Sequence, residues 1–183
     1  MTHTMNQLGC RKTRKAGFTL VELMIVVVIM GILSAAVIPA MGSVRTMREG
    51  AARDDLVRYL NVVRGRAMAA SSEIGLSIDL ADSSMTMVSI DSLGAIQNEI
   101  DPLTGKSRSL TIPDIYSGVT ITAMTNGDGA SGSGTVWFDF ESTPMTYDSF
   151  SSAFVVNAQS ATITLSSGAR VVVYPYSGTL EVQ

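Results

Sequence analysis

One carboxylate stands at the start of a long apolar run, where an unpaired charge is hard to accommodate. Glu22 is followed by residues 23–38, which hold no charged side chain and only Ser34 as a polar one. A lone charge at the depth of lipid costs about 2.5–3.5 kcal/mol, so this carboxylate requires a cationic partner. A cut after Gly17 would create an ammonium group on Phe18, and Glu22 of a neighbouring subunit could neutralise it.

The only cysteine and the only histidine of the chain, Cys10 and His3, both precede this position. A chain cut after Gly17 therefore lacks a thiolate and an imidazole. Disulfides, Cys–His nucleophiles, zinc sites made from these ligands and histidine acid–base catalysis are then excluded. The sequence predicts a protein that is not an enzyme, with no catalytic residue, no metal site and no cofactor.

Two acidic residues near the middle of the chain could be mistaken for a catalytic pair. Asp139 and Glu141 are two positions apart in a predicted strand, which would place both on one face, as in glycoside-cleaving enzymes. Solvated charges at a strand edge explain them more simply. Trp137 is the only tryptophan, and we interpret it as a packing residue rather than a platform for a sugar ring.

Two loops carry patterns that resemble ligand sites. Residues 126–134 have the G-x-G-x-x-G spacing, but a dinucleotide site requires a helix after it, and a strand is predicted there. Asp128 in this loop and Asp101 in another offer oxygen atoms of the kind that calcium prefers. Neither lies in an EF-hand spacing, so both are interpreted as turn-forming residues.

Hydropathy and charge divide the chain into four segments. Residues 1–17 form a leader with four basic and no acidic residues, which the positive-inside rule assigns to the cytoplasm. Residues 18–41 would form a helix of about 36 Å, enough to cross a hydrocarbon core of about 30 Å. Residues 42–72 are predicted to form an amphipathic helical stem, and residues 73–183 a β-rich head.

The stem and the head show different periodicities. Apolar residues of the stem recur at helical spacing: Val44, Met47, Ala51, Leu56, Leu60, Val63, Ala67 and Ala70. Its arginines are interpreted as a solvated face with Arg–Asp pairs near 53–58. From Ile74 apolar and polar residues alternate, which is typical of half-buried strands. Further strands are predicted at 85–90, 94–100, 109–112, 119–124, 135–140, 153–156, 161–166, 169–174 and 179–182.

These patterns predict an α+β fold, in which one helix from Phe18 to about Ser71 precedes an antiparallel head of two small sheets. Turn residues between strongly β-branched runs predict hairpins at 166–168 and 176–178. Residues 67–183 hold three basic and twelve acidic side chains, a net charge of −9. Such a head would repel the phosphates of a nucleic acid, so nucleic acid is not an expected partner.

Residues 15–23, KAGFTLVEL, resemble the class III signal of type IV pilins and type II secretion pseudopilins. The resemblance implies a pilin-like fold, cleavage after Gly17 by a prepilin peptidase and N-methylation of Phe18. It also implies assembly into a filament through Phe18 and Glu22. The implied partners are the peptidase, other pilin subunits and the inner-membrane assembly platform with its cytoplasmic ATPase. The implied location is the bacterial inner membrane, crossed once, with the head in the periplasm before assembly.

The same resemblance assigns the apolar run to the core of the filament. Leu20, residues 23–33 and Val37 are expected to pack against neighbouring subunits. The small residues Gly31 and 34–36 would allow helices to approach closely.

A second resemblance, to GspH/FimT-type minor pseudopilins, rests on the stem end at 64–70 and on the closing hairpins. The matching residues there are Thr162–Ser166, Gly168, Arg170–Val173 and Gly178. DNA-uptake members of that group carry a basic G-R-x-R turn near the C-terminus. This chain has Gly178-Thr179-Leu180-Glu181 instead, with an acid in place of the second arginine, which also disfavours DNA binding.

Two other functions are compatible with the sequence. The protein could be a binding module displayed at the membrane, a receptor for DNA or for an exported protein. Alternatively, Ala40-Met41-Gly42 has the small-x-small form of a conventional signal-peptide site. A cut after Gly42 would release a soluble β-protein.

Overall fold

A computed structural model describes residues 18–183, of which residues 36–41 are described by their backbone alone. Its first element is α1, Leu20–Ala70, which agrees with the helix predicted from Phe18 to about Ser71. The chain divides into two units, Met1–Met41 and Gly42–Gln183. The four segment boundaries proposed from the sequence remain predictions.

The head is built mainly from short antiparallel strands. In chain order the elements are β1 (Ile74–Asp79), β2 (Ser84–Ile90), β3 (Ile96–Asn98), β4 (Ser109–Thr111), the one-turn helix α2 (Ile112–Ile115), β5 (Ile121–Thr125), β6 (Gly134–Phe138), β7 (Pro144–Asp148), β8 (Ala153–Val156), β9 (Ala161–Leu165), β10 (Arg170–Val173) and β11 (Leu180–Val182). They form two sheets, as the sequence predicted. The larger sheet has the order β3-β2-β1-β6-β7-β8, with β4 also paired to β2, and the smaller one has the order β11-β10-β9-β5.

Both predicted hairpin turns are confirmed. Strands β9 and β10 pair antiparallel across the turn at 166–168, and β10 and β11 pair across the turn at 176–178. Gly168 and Gly178 adopt φ angles of 85° and 60° in these turns. A residue without Cβ is favoured at such angles, which is why glycine marks the turns in the sequence.

The core of the head forms between one face of α1 and the two sheets. The buried helix residues are Ala52, Leu56, Leu60, Val63 and Ala67, and they pack with the inward residues of β1, among them Ile74, Leu76 and Ile78. The predicted apolar face of the helix included four of these residues, Leu56, Leu60, Val63 and Ala67, but not Ala52. It was wrong for Val44, Met47, Ala51 and Ala70, which are exposed.

Three features of the head differ from the sequence prediction. The one-turn helix α2 was not predicted, and its first residue, Ile112, was assigned to the strand at 109–112. Strand β7 was missed because it begins at Pro144, a residue that argues against a strand except at its first position. Strand β6 ends at Phe138, so Asp139 and Glu141 do not share a strand face. They lie in the following turn, where Oδ1 of Asp139 accepts hydrogen bonds from the amides of Glu141 (2.9 Å) and Thr143 (2.7 Å). Asp139 is therefore a turn cap rather than half of a carboxylate pair.

A second, smaller apolar cluster lies on the face of the larger sheet that points away from α1. Trp137 is 1% exposed there, which confirms it as a packing residue. Its ring lies 5.3 Å from that of Phe154 and 6.2 Å from that of Tyr147, measured between centroids. Gly75, its neighbour on β1, leaves the space that the indole ring occupies: a Cβ atom there would lie 2.7 Å from Cδ2 of Trp137.

Replacing Gly75 with alanine is therefore expected to destabilise the head by about 1–3 kcal/mol, since the added methyl group meets a rigid, buried ring. Urea unfolding of the full chain in detergent, followed by the fluorescence of Trp137, would measure the change. Gly65→Ala is the matched control, because a Cβ at this helical position meets nothing within 4 Å. It is expected to leave the midpoint unchanged or raise it. An unchanged midpoint for Gly75→Ala would contradict the close packing.

Candidate processing and assembly site

The residues at the beginning of α1 form a capping box. The backbone amide of Thr19 donates to Oε2 of Glu22 at 2.9 Å, and the Thr19 hydroxyl donates to the same oxygen at 3.0 Å. In return, the amide of Glu22 donates to the Thr19 hydroxyl at 3.2 Å. Two amides without partners in the first turn are thus satisfied reciprocally, which fixes where the helix starts and how Glu22 is oriented.

This role of Glu22 was not predicted from the sequence, where only a partner in another subunit was expected for it. The signal was present: a threonine followed three residues later by a glutamate, directly before an apolar run, is the pattern of a capping box. Thr19 is therefore a residue of the site that sequence reasoning did not identify.

The capping box holds the carboxylate but does not neutralise it. Within residues 18–183, Glu22 forms no ion pair, and its second oxygen, Oε1, accepts no hydrogen bond. Each carboxylate oxygen can accept two hydrogen bonds, so Glu22 retains capacity for a cationic partner. Phe18, four residues earlier, is 82% exposed. Its nitrogen is an amide in the uncut chain, so the ammonium group requires cleavage. Gly17, the predicted residue before the cut, lies outside the described residues.

The helix surface beyond Glu22 is apolar and uncovered. The large apolar side chains from Leu20 to Leu33 are between 44% and 78% exposed. Ser34, the polar side chain of this run, donates its hydroxyl to the carbonyl of Met30 at 2.7 Å and is therefore satisfied within the helix. A Cβ added at Gly31 would meet nothing within 4 Å, so this position is open to a neighbouring helix. The side chains of Ala36 and Val37, which belong to the predicted packing set, are not among those described.

A contiguous exposed apolar surface of this kind requires lipid or another protein to cover it. In the part of the chain that the structure describes, no helix is both long enough and apolar enough to cross a membrane.

Charged residues elsewhere take structural roles. Oδ1 of Asp101 accepts the amide of Leu103, and Oδ1 of Asp128 accepts the amide of Ala130, each at 2.8 Å. Both aspartates are thus turn-forming residues, as predicted. Arginines of the stem pair with neighbouring acids, Arg53 with Asp54 at 2.9 Å and Arg58 with Asp55 at 2.8 Å, which confirms the predicted Arg–Asp pairs near 53–58. Arg64 departs from the predicted solvated face, since it is half-buried and donates to the carbonyl of Gly178 at 3.3 Å.

Residues 12–38 match the model of the prokaryotic N-terminal methylation motif. The N-terminal segment of the chain carries this motif, and the match covers 27 of the 183 residues. The matched region contains Gly17, Phe18, the capping box and most of the apolar run. The capped carboxylate of Glu22 is therefore part of the methylation motif.

Among solved structures, the chain is similar to the minor pseudopilin EpsH from the type 2 secretion system of Vibrio cholerae. The two share 14% sequence identity with a TM-score of 0.46, and the similarity covers 74% of this chain and 94% of EpsH. No curated protein matches the sequence.

Proposed function

We propose that the chain is a minor pilin or pseudopilin, a non-enzymatic subunit that assembles into a type IV pilus or a type II secretion pseudopilus. The observation that carries this proposal is Glu22: a capped carboxylate without a cation, at the start of an exposed apolar helix and inside an N-terminal methylation motif. A subunit that must recognise the ammonium terminus of its neighbour requires such a group.

The proposed assembly step is the neutralisation of Glu22 by the Phe18 ammonium of another subunit. Cleavage after Gly17 creates the ammonium group, and methylation leaves it positively charged. In an apolar environment an unpaired carboxylate and an unpaired ammonium are both costly, and bringing them together removes much of both costs. Extraction of the subunit from lipid and its docking into the filament are thereby coupled.

The capping box favours this step because it presents the carboxylate in one orientation. Thr19 occupies Oε2, and Oε1 is left to accept the incoming ammonium. A side chain already held in place loses less conformational entropy when it binds. In this role Thr19 is a positioning residue for Glu22.

Before assembly the precursor is anchored in the bacterial inner membrane by residues 18–41, with the basic leader in the cytoplasm and the head in the periplasm. A prepilin peptidase processes it, and an assembly platform adds it to sister subunits. We place it near the GspH/FimT group on the resemblance of its closing hairpins. The net charge of −9 over residues 67–183 supports a partner other than nucleic acid.

The N-terminal mass of the protein extracted from its native membrane tests this proposal. The proposal requires a mature chain that begins at N-methylated Phe18. A chain that begins at Ser43 would mean a conventional signal peptide and a released β-protein, whereas one that begins at Met1 would mean an uncleaved anchor. Either of these two results would overturn the proposal.

A further inference from the structure

The two sheets of the head end at four edges, one of which is shared by β3 and β4, and these edges differ in how they are protected. The smaller sheet protects β5 with its own following loop, since the Gly132 amide donates to the Met124 carbonyl at 3.1 Å and Thr125 bridges to Ser131. Its other edge, β11, carries the charged Glu181 at its centre. In the larger sheet, β3 has two polar residues among its three. Charge, polarity and coverage are the usual means of preventing unwanted strand pairing.

Strand β8, the remaining edge of the larger sheet, has none of these protections. Its sequence, Ala-Phe-Val-Val, contains no charge, no proline and no polar side chain, and its pairing with β7 shows no bulge. Val155 and Val156 are 57% and 42% exposed. Phe150, in the turn that leads into β8, is 99% exposed. An aromatic side chain beside an open strand edge is the kind of residue that anchors a protein interface.

The backbone of β8 offers hydrogen-bonding groups in a regular order. The Asn157 amide donates to the Pro144 carbonyl at 3.1 Å across the β7–β8 pair. Because bonded and non-bonded pairs alternate in an antiparallel ladder, Val155 and Ala153 bond to β7, while Phe154 and Val156 direct their N–H and C=O groups outward. Among residues 18–183, no partner is present for these outward groups.

Aromatic packing on one face of the β7–β8 pair holds strand β8 in place. Phe154 and Tyr147 pack on each other with ring centroids 5.1 Å apart, and both contact the buried ring of Trp137. The hydroxyl of Tyr147 donates to the carbonyl of Gly94 at 3.1 Å, which ties this end of the sheet to the β2–β3 turn. The edge is thus held in an extended conformation before any partner arrives, which reduces the entropic cost of pairing.

A groove of about 390 Å³ lies over the β7–β8 pair at this edge of the sheet, and its charge is negative. Asp128 and Asp148 line it together with Val155 and Val156, and no Lys, Arg or His is among its lining residues. Hydrogen bonds from the Ser151 hydroxyl and the Phe150 amide lower the pKa of Asp148, so this carboxylate stays ionised at neutral pH. A strand that pairs with β8 lies next to this groove, so basic side chains on that strand are attracted to the two aspartates.

We propose that β8 binds an extended segment of a partner protein in which basic and apolar side chains alternate, so that the segment adds a strand to the larger sheet. Main-chain hydrogen bonds to Phe154 and Val156 supply affinity, and the two aspartates select for basic residues. A second copy of β8 does not fit this description, because residues 144–160 contain Asp148 and no basic residue. This inference goes beyond the role in filament assembly and does not depend on cleavage or on Glu22.

Amide hydrogen exchange and peptide binding on the full chain in detergent test the proposal. The probes are a short alternating lysine–valine peptide and its glutamate–valine counterpart. We expect the lysine peptide to bind and to slow exchange at Phe154 and Val156, and the glutamate peptide to bind at least about tenfold more weakly. The Val155→Lys variant, which adds a positive charge to the edge, should weaken binding of the lysine peptide by about tenfold.

Ala123→Lys is the matched control, since Ala123 is an exposed small apolar residue on the covered edge β5. This variant should bind the lysine peptide as strongly as the wild type does. Urea unfolding of both variants would verify that each retains its fold. Equal binding of the two peptides, or binding without slower exchange at Phe154 and Val156, would overturn the proposal. A third result would also overturn it: slower exchange of these amides without peptide, increasing with protein concentration. A second copy of the chain would then occupy the edge.

Discussion

Glu22→Leu is expected to be inserted and cleaved normally, yet to be absent from filaments. The substitution removes the group that neutralises a neighbouring Phe18 ammonium and leaves that ammonium unpaired. Loss of one member of a desolvated ion pair costs about 3–5 kcal/mol, so incorporation should fall by a factor of about one hundred or more. Filaments sheared from the cells that produce this protein, probed for the subunit and compared with the membrane fraction, would measure the ratio.

Two control variants separate the charge of Glu22 from its role in the capping box. Thr19→Ala removes the two hydrogen bonds of the Thr19 hydroxyl but keeps the carboxylate, and it should weaken the helix start by about 1 kcal/mol while incorporation persists. Glu49→Gln removes a carboxylate that pairs with Arg45 on the same helix, and incorporation should be unchanged. Wild-type incorporation of Glu22→Leu would contradict the assembly mechanism. Incorporation of Thr19→Ala as low as that of Glu22→Leu would assign the effect to the cap.

Gly17→Val is expected to block removal of the leader. The resemblance to class III signals implies a peptidase that accepts only a small residue before the cut, and a branched side chain there should reduce processing by about tenfold or more. The intact mass of the membrane-extracted protein would give the fraction of uncut chain. Because the Phe18 ammonium does not form without the cut, this variant should also be absent from filaments.

Gly42→Val is the control for Gly17→Val. It changes the last residue of the rival signal-peptide site, and a Cβ at Gly42 meets nothing within 4 Å, so the substitution should be tolerated. We expect normal processing of this variant. An unchanged mature mass for Gly17→Val would refute the predicted cut, and a block in Gly42→Val would place the cut after residue 42.

The sequence alone determined the features that depend on local order. The basic leader, Glu22 and the uncharged run after it are recognised from consecutive residues, because their chemistry depends on composition and spacing within about 25 positions. The helix from Leu20 to Ala70 and the two closing hairpins were also predictable. Apolar periodicity identifies the helix, and the glycines at positive φ mark the turns of the two hairpins. The capping box is equally local, but neither Thr19 nor the capping role of Glu22 was predicted.

The tertiary structure decided the features that depend on residues far apart in the chain. Leu56 is buried, whereas Val44 and Met47 are exposed, although all three fit the same helical spacing. Burial depends on which part of the stem the head covers, and helical spacing does not contain that information. The burial of Trp137 depends on Gly75, Tyr147 and Phe154, which only strand pairing brings together. The order β3-β2-β1-β6-β7-β8 decides that β8 is an edge. Strand order results from contacts between distant segments, so no local pattern in the apolar residues of β8 distinguishes an edge strand from an interior one.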